Sequence, residues 1–110
     1  MKNKDDRVYI LHMQDCIDRI DEYIESKEHF YQSHLIQDAV VRNLQVMAES
    51  SQRLSDAIKE QYSEIPWRNI AGFRNIIVHD YLGLDLDVIW SVVELELPKP
   101  RKVLRKMENK

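Results

Sequence analysis

With two glycines and three prolines in 110 residues, the chain has almost no backbone punctuation. Few turn residues among many aliphatic and charged ones predict long helices joined by few connections. The composition, 44% hydrophobic and 32% charged, supplies enough apolar side chains to close a core and excludes a disordered chain. The length allows one domain over residues 1–110. A domain of this size leaves about a third of its unfolded surface uncovered, so a partner subunit is expected. No apolar run reaches the ~20 residues needed to cross a bilayer, and the charged start leads into no signal-peptide core. The lone cysteine, Cys16, rules out an internal disulfide or a cysteine-based zinc site, and the cytoplasm is the expected location.

The hydrophobic period is helical throughout. Ile10, Met13, Ile17, Ile20 and Ile24 recur at a 3-4-3-4 spacing and predict a helix over 5–26. Tyr9, Cys16 and Tyr23 widen this stripe, which makes Cys16 a small core residue rather than a nucleophile. Residues 27–33 break the period and read as a loop, with Ser33 as the next N-cap. A second helix is expected over 34–61, on Val40, Leu44, Met47, Leu54 and Ile58. Val41, Ala48 and Ala57 give it a second, small-residue face suited to a neighbouring subunit. Pro66 starts a third helix over 66–79, carrying Trp67, Ile70, Ala71, Phe73, Ile77 and Val78. Gly83 ends that segment, and Asp85 or Asp87 caps a fourth helix. Val88, Ile89, Trp90, Val92, Val93 and Leu95 leave this helix almost no polar face, so it should be buried. Pro98 and Pro100 stop it before a short basic helix. The expected fold is an all-α antiparallel bundle of four to five helices.

Charge is unevenly spread along the chain. Residues 99–110 hold six basic side chains against Glu108, a net of +5, so the remainder carries −8 of the overall −3. That balance is not the footprint of a protein that coats nucleic acid. The basic tail reads as a solvated final helix favoured by the helix dipole, or else as an arm for phosphate or an acidic partner.

No glycine-rich phosphate loop, His-Glu-x-x-His pair or serine elbow occurs. His12, His29 and His34 lack a second ligand-type residue at metal spacing, so no metal is expected. The segment Arg74-Asn75-Ile76-Ile77-Val78-His79-Asp80-Tyr81 differs, because polar groups flank a buried apolar run. On a helix, Asn75 and His79 fall within about 40° of each other, and Arg74 and Tyr81 within about 20°. Arg74 and His79, about 140° apart, converge only if the helix loosens, the arginine swings round, or two copies face one another. The alternative is an arginine paired with an acid and a histidine capping the helix end.

This octapeptide resembles the HepT-like branch of the HEPN superfamily, whose pattern is Arg-x4-His-x-Tyr, here Arg74, His79 and Tyr81, with Asn75 following the arginine. The resemblance extends to the flanks Glu64–Phe73 and Leu82–Trp90 and to Met47–Leu54, where the branch often has glycine at the position of Ala48. It implies a homodimer whose two motifs form a composite cleft. It further implies a metal-independent ribonuclease needing no cofactor, the toxin of a type VII-like HepT/MNT toxin–antitoxin pair acting on tRNA or mRNA. The partner is an MNT-type nucleotidyltransferase antitoxin that transfers AMP onto the tyrosine, here Tyr81. An inactive HEPN module serving only as that enzyme's partner is the alternative. RNA carries its own 2′-OH nucleophile, so cleavage needs a proton acceptor and donor and a cation near the phosphate. His79 suits the first role and Arg74 the second, with Asn75 orienting the histidine or binding the same oxygens and Glu49 positioning the arginine from the second helix.

Overall fold

The computed structural model describes residues 4–78 and 85–108, and among them every regular element is helical. The elements are α1 (Lys4–Tyr23), α2 (Lys27–Gln32), α3 (His34–Gln52), α4 (Asp56–Gln61), α5 (Trp67–Val78), α6 (Leu86–Ser91), a π-helical stretch (Val92–Glu96) and α7 (Pro98–Glu108). This is the all-α bundle that the sequence predicts. His79, Tyr81 and Gly83 lie outside the described residues.

The core follows the periodic stripes. Ile10, Met13, Cys16, Ile17 and Ile20 of α1 are buried against Val40, Leu44, Met47 and Ala48 of α3. The two helices run antiparallel, because Asp6 meets Ser55 at one end and the middle of α1 lies beside residues 39–46 of α3. α3 also packs along α5, and α7 along α1. Ala48 therefore belongs to the chain's own core rather than to a spare face. Of the other two residues assigned to that face, Val41 is half-buried and Ala57 exposed.

Three connections differ from expectation. Residues 27–32 form a helical turn instead of a loop. Ser26 caps it through a bond from the His29 amide (3.0 Å), and Phe30 anchors it in the core. Ser33 does cap α3, accepting from the Ile36 amide at 3.2 Å. The buried Gln37 amide donates to the carbonyls of Phe30 and Tyr31 and so satisfies the last groups of that turn. The helix expected over 34–61 breaks at residues 53–55. There Asp6, itself buried, accepts from both the amide (2.8 Å) and hydroxyl (2.6 Å) of Ser55, which caps α4. A buried carboxylate with two donors outweighs the continued helical period of Leu54 and Ile58. Finally, the apolar segment after Asp85 is only partly buried. Ile89 and Val92 face inward, while Val88 and Leu95 are exposed, the latter by 70%. The π-helical stretch rotates successive side chains away from the α-helical register.

The basic tail is more than a solvated turn. Leu97, Val103, Leu104 and Met107 are buried, and Pro98 and Pro100 sit in the first turn of α7, where missing amides cost nothing. Arg101 clamps Asp21 of α1 through two bonds of 2.6 and 2.9 Å, and Arg105 approaches Asp18 at 3.9 Å.

Candidate functional site

α5 is fixed at its start before it presents anything. The Trp67 indole donates to the carbonyls of Lys59 and Tyr62, both at 3.1 Å. Ile70 and Phe73 are buried. Arg74 follows Phe73 by one position, so it flanks the buried face and reaches toward α3. There it lines a cleft of about 480 Å3 with Glu49, Gln52 and Arg53. The structure thus brings together two of the residues named from sequence, Arg74 and Glu49. Asn75 is exposed beside them.

The cleft holds two arginines and one carboxylate among its four lining residues. Arg74 makes no ion pair with another described residue, which leaves its planar donors available for an anion. Arg53 and Gln52 are additional to the sequence reading. Arg53 ends α3, its amide bonded to the Ser50 carbonyl at 3.1 Å. Its guanidinium lies 5.9 Å from the Tyr9 ring centroid. No sequence spacing announces that contact, since it joins distant parts of the chain.

The other candidates are dispersed. His12 and His34 are exposed on α1 and α3. The His29 ring lies 3.4 Å from the Glu25 carboxylate, a local pair. Among the described residues no group of three His, Cys, Asp or Glu side chains is placed to hold a metal ion. None of their helices is long and apolar enough to cross a membrane.

In this all-α bundle Arg74 of α5 is set against Glu49, Gln52 and Arg53 at the end of α3, and the family match makes it a HEPN-type domain. Residues 13–107 match the ribonuclease HepT-like family, and the chain belongs to it. It is 35% identical, over 96% of its length, to the "gamma-glutamylcyclotransferase and putative RNase" of Methanocaldococcus jannaschii, but spans only 49% of that protein. It is 30% identical to the probable ribonuclease HepT of Thermococcus cleftensis, covering 92% of this chain and 94% of the relative. It is also 29% identical to the mRNA nuclease HepT of Shewanella oneidensis, over 74% of this chain and 80% of that one. No solved structure matches the chain significantly.

Proposed function

We propose that this protein is a metal-independent endoribonuclease, the toxin of a HepT/MNT-type toxin–antitoxin pair, working as a homodimer with the two clefts combined. The observation that carries the reading is Arg74 in an open cleft with Glu49 and Arg53, in a chain of the ribonuclease HepT-like family. The mRNA nuclease named among its relatives supports RNA as the substrate class.

In this mechanism His79 takes the proton from an RNA 2′-OH, whose oxygen attacks the adjacent phosphorus. The bond from phosphorus to the 5′-oxygen breaks, a proton reaches that leaving oxygen, and a 2′,3′-cyclic phosphate forms. Arg74 holds the non-bridging oxygens as negative charge develops on them. Glu49 orients Arg74 across the cleft, and Asn75 orients His79 or binds the same oxygens. Tyr81 is the site at which the nucleotidyltransferase partner adds AMP. The added bulk and charge then block the phosphate position.

Purified protein incubated with total RNA and EDTA tests the reading. Cleavage is expected with chelator present, and Arg74→Ala or His79→Ala should each lower the rate by ~10²–10⁴-fold with helicity retained. Dependence on added Mg²⁺ or Mn²⁺ would contradict it. An intact dimer that never cleaves RNA would favour the alternative, a binding partner of the nucleotidyltransferase. Intact-mass measurement after incubation with that enzyme and ATP tests Tyr81. AMP found on Tyr62 or Tyr9 instead would overturn the assignment.

A further inference from the structure

A second cleft, of about 410 Å3, runs between α1 and α3 and is lined by His12, Arg19, Tyr23 and Arg42 among others. It opens on the same side of α3 as the first. Arg42 and Val46 line the second cleft and Glu49 and Arg53 the first, and these four positions fall on one face of α3, one turn after another. On the α1 side the ring of Tyr9 carries Arg53 on one flank. Its other neighbour is His12, edge-on with centroids 5.9 Å apart. Arg74 and Arg53 share the first cleft, Tyr9 and His12 follow Arg53 on α1, and His12 and Arg42 share the second, so the five succeed one another along the α1–α3 pair. From Arg53 to Arg42 this line covers about 16 Å of helix.

The chemistry along this line is that of a single-stranded nucleic-acid track. Guanidinium groups recur beside flat rings, the combination that holds a flexible polyanion by its phosphates and its bases together. Within the track Arg19 is tied to Asp15 at 2.8 Å, whereas exposed Arg42 has no ion pair to another described residue. Arg42 is thus the cation free to meet a phosphate at the far end. A groove carrying such cations on a chain of net charge −3 draws a polyanion to one place rather than to the whole surface.

We infer that the α1–α3 groove is the path along which single-stranded RNA reaches the Arg74 cleft, with Arg42 contacting a backbone phosphate several nucleotides from the scissile bond. The inference rests on the ribonuclease reading and identifies how its substrate is held.

The test is binding of a fluorescent 10-nucleotide RNA with every 2′-OH methylated, so that it cannot be cut, across a salt series, with sedimentation of each variant. Arg42→Gln should weaken binding about tenfold. It should also reduce the steepness of the log–log salt dependence by about 0.7, the value for one lost phosphate contact to a single strand. Arg42→Lys should retain most of that slope. Unchanged affinity and slope in Arg42→Gln would overturn the proposal. So would conversion of a dimer to monomers by this substitution, since the groove would then be an interface between copies. A protein that cleaves ordinary RNA while Arg42→Gln binds normally sinks the track alone. One that binds through Arg42 but never cleaves sinks the ribonuclease reading alone, and one that does neither sinks both.

Discussion

At the scale of single residues, burial decides what chemistry a side chain can offer. Cys16 is 3% exposed between α1 and α3. Burial, with help from the neighbouring Asp15 charge, pushes its thiol up to about 11. At pH 8 only roughly one thiol in a thousand is then ionised. We expect no reaction with a disulfide reagent at that pH until denaturant is added; fast labelling of the native protein would show the site to be open. Tyr31 illustrates the reverse case, a group held by a partner. Its hydroxyl donates to Asp87 at 2.5 Å, joining α2 to α6. That bond, with burial as a lesser cause, pushes the phenol up to about 12. A raised phenol favours the folded state while neutral. Its contribution is therefore complete below pH 10 and is lost as pH rises through 10 to 12. The melting temperatures of wild type and Tyr31→Phe should differ at pH 8 and converge toward pH 12. A constant gap across that range would remove the bond from the account. Cys16 was legible as core from its place in the apolar stripe. The Tyr31–Asp87 bond was not, because 56 residues of sequence separate its ends.

At the scale of elements, the long periodic helices could be read and their interruptions could not. The stripe from Ile10 to Ile20 specifies α1 because every member is buried, and nothing competes with it. In the second expected helix Leu54 and Ile58 keep the period and are indeed buried, yet the backbone breaks between them. The cause lies in Asp6, nearly fifty residues earlier, and a local pattern carries no trace of it. Removing that carboxylate should therefore act on α4 and not merely on α1. Asp6→Ala leaves the Ser55 amide and hydroxyl without their acceptor, and we expect a loss of about 2 kcal/mol in urea unfolding. Hydrogen exchange should rise selectively in α4. A loss below a few tenths of a kcal/mol would mean that water replaces the carboxylate freely. The same limit applied to the candidate site. Arg74 stood out through its neighbours in the motif, and Glu49 could be named from the second helix. Arg53 could not, since its importance lies in meeting Tyr9 across the α1–α3 pair.

At the scale of the whole molecule, the described residues extend over 43 × 26 × 20 Å, with large apolar side chains such as Leu35 and Leu95 left 78% and 70% exposed. The proposed homodimer predicts a sedimentation coefficient of a two-chain particle at micromolar concentration. A stable folded monomer would remove the composite cleft. The arrangement of α1 and α7 also has a consequence in time. Arg101 and Asp21, whose bonds seal the two helices together, are 80 residues apart. At ~5–20 residues per second, a ribosome needs on the order of 4–16 s to go from one to the other. Throughout that interval α1 has been made, and α3 soon after it, without the α7 that packs along α1's remaining side. Arg74 is translated before α7, so a growing chain contains the cleft arginine before it has the means to seal the bundle that displays it.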